Sequence, residues 1–196
     1  MDKPSSADWS SLAQCAARGD QGAFSLLYQS TVTEVYRTVY LLSHASIDVE
    51  EIVQEVYIGI WKSLGRYDAT RPFSPWLHGL IIRQVRNARR SRWRRWRLLS
   101  GELELHREEP APQPLGGLLT DHHMDLLSAI ESLPLRLREI IILRYFHGYS
   151  LVEIGEILRI PSGTARSRHH EAVRRLRIDY EAPDGGEQPK CQPNEI

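Results

Sequence analysis

The chain has 196 residues, 41% of them hydrophobic, and 25 basic side chains balance 25 acidic ones to a formal net charge of zero. This length suffices for one sizeable core or two small ones, and no apolar run approaches the length of a membrane span. The two cysteines offer no rigid disulfide framework and the N-terminus lacks an apolar signal core, so we expect a protein of the reducing cytoplasm. The neutral total conceals segregated charge, because acids at 48–55 and 102–109 alternate with arginines at 83–97 and 166–177.

Helical periodicity dominates the first hundred residues, and no segment alternates as a strand would. Residues 1–8 are predicted to be disordered, and residues 9–99 are predicted to form an antiparallel cluster of helices. Gly19 and Asp20 separate the first helix from a longer one. We therefore expect an all-α protein whose first domain ends near residue 99.

The third predicted helix carries an acidic face. Asp48 is placed to cap its N-terminus, with Glu51 three residues later, and apolar residues recur at spacings of three and four on the opposite side. The exposed side then presents Asp48, Glu50, Glu51, Gln54 and Glu55. Carboxylates with a glutamine suit a basic docking site better than they suit an apolar dimer interface.

The fourth predicted helix begins near Trp76 and has the opposite charge. From residue 83 onward its surface is almost wholly arginine, at Arg83, Arg86, Arg89, Arg90, Arg92, Arg94, Arg95 and Arg97, and Trp93 and Trp96 are interleaved with them. Guanidinium groups displace counterions from phosphates and indole rings stack on bases, so this face indicates nucleic-acid binding over a merely solvated cationic surface. Trp93 is equally compatible with ordinary packing, and packing is the favoured interpretation of Trp76, which lies in the opening turn beside Phe73.

A Pro- and Glu-rich segment at 100–121 is predicted to be a flexible acidic linker, and residues 181–196 a disordered tail. Between them, residues 122–180 are predicted to form a second helical domain. Ser150 and Glu153 make a capping box for a short helix, Pro161 lies in a turn, and a longer helix rich in Ser, Thr and Arg follows. This order is typical of a helix-turn-helix, although the pattern alone leaves a purely structural helical hairpin open.

No catalytic constellation is present in the sequence. The histidines of 122–123 and 169–170 lack the spacing of metal ligands one helical turn apart with a third ligand nearby, and there is no phosphate-binding glycine loop or nucleophile elbow. We therefore predict no enzymatic activity, no metal, no cofactor and no small-molecule substrate.

Several motifs in this order resemble bacterial sigma factors of the extracytoplasmic-function type, group IV of the sigma-70 family, over about residues 16–177. The motifs are RGD at 18–20 with AF at 23–24, DVEEIVQEVY at 48–57, RPF at 71–73 with WL at 76–77, LP at 133–134 with RE at 138–139, and YS at 149–150 through GTARSR at 163–168. Each motif is weak alone, and the ordered set is specific.

The resemblance implies an alternative sigma factor that binds core RNA polymerase and promoter DNA, with an anti-sigma factor as a further partner. Residues 9–99 would be region 2 and residues 122–180 region 4, and the acidic linker would thread the RNA exit channel of the polymerase. The core-binding residues would be Asp48, Glu50, Glu51, Gln54 and Glu55. The minus-ten element would be met by Tyr67, Phe73, Trp76, Arg83, Arg86, Asn87 and Arg90. The minus-thirty-five element would be met by Ser162, Thr164, Arg166, Ser167, Arg168, His170 and Glu171.

Three positions depart from the family pattern. Arg83 replaces the usual asparagine, which puts the expected pocket for a flipped base in doubt. His169 occupies an inward position that is usually aliphatic and is interpreted as a packing residue. Glu171 replaces a common basic residue and is a candidate acceptor for cytosine. The alternative function is a stand-alone helix-turn-helix regulator that binds its operator without polymerase.

Overall fold

The structure is a computed structural model that describes residues 6–43, 48–99 and 121–181. All regular elements in these ranges are helical, which confirms the all-α class. The N-terminal half contains α1 (Ser6–Ala17), α2 (Gln21–Leu42), α3 (Val49–Ser63), a 3-10 turn (Leu64–Arg66) and α4 (Phe73–Leu99). The C-terminal half contains α5 (Asp121–Ser132), α6 (Leu135–Ile141), a π turn (Ile142–Phe146), α7 (Leu151–Leu158) and α8 (Ser162–Glu181).

Side-chain caps define where the helices of the N-terminal half begin. The Asp20 carboxylate accepts a hydrogen bond from the backbone N–H of Ala23 at 3.0 Å, and Asp48 accepts from the N–H of Glu51 at 3.1 Å. Each cap satisfies one amide that the helix itself leaves unpaired. The acidic helix therefore begins where its sequence predicted.

The helix-turn-helix of the C-terminal half is confirmed. Ser150 and Glu153 form a reciprocal capping box at the start of α7. Arg159 ends that helix in the left-handed conformation, with φ of 55°. A Cβ at Gly155 would lie only 3.0 Å from the carbonyl oxygen of Ile160, so the tight turn into α8 favours glycine at this position, since a larger residue would displace that carbonyl by a few tenths of an ångström.

The two halves share one core, which the sequence did not predict. Ile140, Ile142, Leu143, Ile154 and Leu158 of the C-terminal half belong to the same buried cluster as the cores of α2, α3 and α4. A smaller cluster is internal to the C-terminal half and consists of Ile130, Leu133, Leu137, Ile141 and Ala172. We call the packing of the two halves the closed arrangement.

Element boundaries differ from the predictions in two places. The first helix begins at Ser6 rather than near Trp9, and α4 begins at Phe73 rather than near Trp76. The predicted linker lies outside the described residues except for Asp121, and the predicted tail does so except for Glu181. No helix within the described ranges is both long and apolar enough to cross a membrane.

Candidate nucleic-acid interface

The acidic surface predicted on α3 is exposed. Its members, which we call the acid face, are Asp48, Glu50, Glu51, Gln54 and Glu55. The opposite side of α3 is buried, and the hydroxyl of Tyr57 lies 2.9 Å from that of Thr31 on α2. Because the apolar side is held in the core, the helix has one orientation and presents its carboxylates to solvent.

Three aromatic residues predicted to meet the minus-ten element form one cluster. The rings of Tyr67, Phe73 and Trp76 lie 5.3–5.4 Å apart, centroid to centroid. Phe73 is completely buried, so in this arrangement it supports the other two rings and does not itself reach the surface. Tyr67 and Trp76 are half-buried, and the Tyr67 hydroxyl donates to the carbonyl of Arg71 at 2.5 Å.

The predicted arginine face of α4 is exposed at seven of its eight positions, which are Arg83, Arg89, Arg90, Arg92, Arg94, Arg95 and Arg97. Asn87 is exposed as well. Trp93 is 55% exposed, with the Arg97 guanidinium 5.3 Å from the centroid of its ring. Trp93 is therefore not a core residue, and its ring is accessible for stacking.

Arg86, the eighth arginine, is held by the C-terminal half. Its Nε and one terminal nitrogen donate to the two carboxylate oxygens of Glu139 at 2.7 and 2.6 Å. The Glu139 side chain is 1% exposed, and this bidentate contact raises the pKa of Arg86. In the closed arrangement the guanidinium predicted to meet DNA is thus occupied by a buried carboxylate.

The predicted minus-thirty-five residues lie on α8. Ser162, Arg166, Ser167 and His170 are exposed, and Thr164, Arg168 and Glu171 are half-buried. Arg168 borders a cleft between the two halves that Arg86 and Glu139 also line. The closed arrangement therefore brings one member of each predicted DNA-binding set to the same cleft.

Glu171 and His169 both have partners within the C-terminal half. Glu171 pairs with Arg174 and Arg175 on its own helix at 2.8 and 2.6 Å, and the bond from Arg175, followed by that from Arg174, lowers the pKa of Glu171. These contacts occupy the carboxylate that was considered an acceptor for cytosine. His169 is half-buried, and its Nε2 lies 3.0 Å from the Tyr145 hydroxyl, in agreement with a packing role.

Arg138 is a buried contact between the halves whose role the sequence did not reveal. Its side chain is 1% exposed and donates to the carbonyl oxygens of Leu42 and Ser43, at 3.2 and 3.1 Å, and of Leu133 at 3.1 Å. Burial lowers the pKa of this guanidinium. Since the C-terminus of α2 carries partial negative charge, an arginine from α6 is a favourable cap for it.

A second polar contact joins Glu34 of α2, His78 of α4 and His147 of the C-terminal half. Contact with the imidazole of His147, and then with that of His78, holds the pKa of the Glu34 carboxyl well below its usual range. Burial lowers the pKa of His78. These residues are far apart in sequence and on different elements, so no local spacing could have indicated the cluster.

Comparisons with known proteins agree with this architecture. Residues 27–95 match the model for Sigma-70 region 2, and residues 129–177 match Sigma-70, region 4. The chain is 34% identical over 180 residues to the ECF RNA polymerase sigma factor SigE of Mycolicibacterium smegmatis, covering 87% of this chain and 67% of the relative. It is 29% identical over 172 residues to the ECF RNA polymerase sigma factor SigW of Bacillus subtilis, covering 82% and 90%.

One solved structure with a similar fold is the sigma factor RpoE of Bartonella quintana in complex with the anti-sigma factor NepR. Its TM-score is 0.66 at 22% identity, covering 82% of this chain and 98% of that one. A second is CnrH in complex with the cytosolic domain of CnrY, with a TM-score of 0.65 at 24% identity, covering 91% and 99%.

Proposed function

Since this chain belongs to the sigma-70 family of RNA polymerase sigma factors, in its extracytoplasmic-function group, we propose that its two charged helices bind different partners, core polymerase at α3 and promoter DNA at α4. The protein is an alternative sigma factor that binds core RNA polymerase and directs promoter-specific initiation, and it is not an enzyme. The stand-alone regulator is set aside, because both sigma-70 regions are present and the relatives are sigma factors.

The observation that carries this assignment is the separation of charge on consecutive helices. The acid face is exposed on α3, and the arginine face is exposed along most of α4. We assign the acid face to a basic surface of the polymerase, and the exposed arginines together with Tyr67, Trp76 and Asn87 to the minus-ten element. The exposed polar residues at the start of α8 are assigned to the minus-thirty-five element.

The domain limits proposed are residues 9–99 for region 2, 100–121 for the acidic linker and 122–180 for region 4. The further partner is an anti-sigma factor, as in the complex of RpoE with NepR. We place the protein in the cytoplasm, where bacterial RNA polymerase acts.

The decisive experiment mixes the purified chain with core RNA polymerase, isolates the complex by size exclusion and tests run-off transcription from a genomic fragment library. We expect a stable complex that initiates at a small set of sites. Duplex DNA binding by the protein alone, with no polymerase complex, would instead support the stand-alone regulator.

The acid face is tested by reversing one charge. Glu55→Lys should weaken binding to core polymerase by about tenfold or more, because a cation then faces a basic docking site. Glu156→Lys is the matched control, since it makes the same change at an exposed position of α7. Equal core affinity for both variants, with unchanged helical circular dichroism, would remove the acid face from the proposal.

A further inference from the structure

Three side chains of metal-binding type converge where the two halves meet. Glu34 on α2, His78 on α4 and His147 just after the π turn each place one potential ligand atom within 4.8 Å of the other two. His78 is 3% exposed, and the side chain of His147 is 6% exposed. We call these three residues the polar cluster; two belong to the N-terminal half and one to the C-terminal half.

The spacing of the ligand atoms is close to that of a tetrahedral metal site. Nδ1 of His147 lies 2.9 Å from Oε1 of Glu34, and Nε2 of His78 lies 3.7 Å from the same oxygen. Tetrahedral zinc with bonds of about 2.0–2.1 Å sets its ligand atoms roughly 3.3 Å apart. These two separations bracket that value, so small side-chain movements would complete the site.

The outer hydrogen bonds leave the inner nitrogens available as ligands. The Thr38 hydroxyl donates to the backbone carbonyl of Glu34 at 2.8 Å and lies 3.2 Å from Nε2 of His147, where its oxygen is placed to accept from Nε2–H. In that tautomer the lone pair of the ring lies on Nδ1, 2.9 Å from Oε1 of Glu34, so both atoms are available to one metal ion.

The ring of His78 is likewise supported at its outer nitrogen, while its inner nitrogen faces the cluster. Its Nδ1 lies 2.8 Å from the Tyr149 hydroxyl, while its buried Nε2 makes no hydrogen bond within the described residues. In metal sites a histidine typically ligates through one nitrogen and hydrogen-bonds to a protein group through the other. Thr38 and Tyr149 occupy that supporting position for the two rings.

We infer that Glu34, His78 and His147 form a binding site for one divalent transition-metal ion of the zinc class, with water as the fourth ligand, that joins the two halves. Two imidazoles and one carboxylate suit zinc, cobalt or nickel, whereas magnesium prefers oxygen ligands alone. Since the ligands come from both halves, the bound ion stabilises the closed arrangement, in which Glu139 holds Arg86. The site itself is independent of the proposed function; only its effect on transcription rests on it.

The test uses the full chain without a histidine tag, titrated with ZnCl₂ by calorimetry and with Co²⁺ by visible absorption. We expect one equivalent of Zn²⁺, a Co²⁺ spectrum of tetrahedral type, and no comparable binding of Mg²⁺. Glu34→Gln and His147→Ala should each lower Zn²⁺ affinity at least tenfold, and Thr38→Val should lower it by about ten- to a hundredfold through loss of the support for His147.

His169→Ala is the matched control, because it removes a half-buried imidazole of the C-terminal half outside the polar cluster and should leave one equivalent bound. Circular dichroism verifies that each variant is folded. Absence of Zn²⁺ binding by the wild type, or equal binding by His147→Ala, would overturn the site and leave the contact as a hydrogen bond between His147 and Glu34. Separately, Zn²⁺ should reduce run-off transcription by the wild type and not by His147→Ala. If the wild type binds Zn²⁺ but its run-off transcription is unchanged by the ion, the regulatory effect is refuted and the binding site stands.

Discussion

Helices α3 and α4 are consecutive along the chain, and each is amphipathic with one charged face. The C-terminal half covers part of the charged face of α4 and leaves that of α3 exposed. The acid face of α3 is exposed at all five positions. On α4, Glu139 holds Arg86, and Gly79 lies against Ile157 of α7. In the closed arrangement, therefore, the surface assigned to polymerase is accessible while the surface assigned to DNA is partly occupied. We therefore expect core binding to precede separation of the two halves.

The largest expected effect comes from Arg138, because it anchors the C-terminal half to α2. Arg138→Met should lower the free energy of unfolding by about 3 kcal/mol, since it leaves several buried carbonyls without a donor. Urea unfolding measures the change. Arg136→Met is the control on the same helix, where the side chain is exposed and a small effect is expected. Equal losses for both variants would show that the buried contacts of Arg138 do not hold the halves together.

The covering of α4 is tested directly at Arg86 and Glu139. A double-mutant cycle with Arg86→Met and Glu139→Gln should give a coupling free energy of about 1–2 kcal/mol, because the pair is bidentate and partly buried. The exposed pair of Arg71 and Asp68, 3.5 Å apart, should show no measurable coupling. A coupling free energy of zero between Arg86 and Glu139 would mean that the arginine face is as accessible as the acid face.

The uncovered part of the arginine face is tested by salt dependence. Promoter binding by the holoenzyme carrying Arg89→Ala and Arg90→Ala should be about tenfold weaker. Its logarithmic dependence on salt should be shallower by roughly 2, because each phosphate contact contributes about 0.9 to the slope. Arg18→Ala removes an exposed cation outside α4 and should leave the slope unchanged. An unaltered slope in the double variant would exclude these arginines as phosphate contacts.

The smallest effect is expected where α4 approaches α7. A Cβ at Gly79 would lie 3.5 Å from the carbonyl oxygen of Ile157, which is an ordinary contact. Gly79→Ala should therefore stabilise the protein by about 0.5 kcal/mol through helix propensity. Gly59→Ala on α3, where the nearest atom is the mobile end of Gln84, is the comparison. Thermal unfolding that shows destabilisation only at Gly79 would indicate tighter packing of the halves than the distances suggest.

Local features were predictable from sequence because their causes are local. The caps at Asp48 and Ser150 depend on residues three positions away, and the periodicity of apolar residues defines the buried side of each helix. The acid face and the exposed arginines follow from the same periodicity. The starting residues of α1 and α4 were less well predicted, since the first turn of each lacks a strong start signal.

Contacts between the halves could not be predicted, because they join residues distant in sequence. Phe73 reads as a surface aromatic until its neighbours in the fold are known, and Arg86 resembles its seven exposed companions until Glu139 is placed beside it. The polar cluster has the same origin: His78 lies in the apolar first turns of α4 and His147 beside a glycine, and neither position suggests a shared site.

Arg138 has one more consequence, which concerns the mobility of α2. The last turn of that helix ends at Ser43, whose N–H donates to the carbonyls of Val39 and Tyr40, while the carbonyls of Leu42 and Ser43 depend on a side chain from the other half. When the halves separate, this turn loses its donor and its amides become free to fray. Hydrogen–deuterium exchange of the amides at the C-terminal end of α2 would then report the separation of the two halves. We expect this exchange to be faster in the holoenzyme than in the free protein.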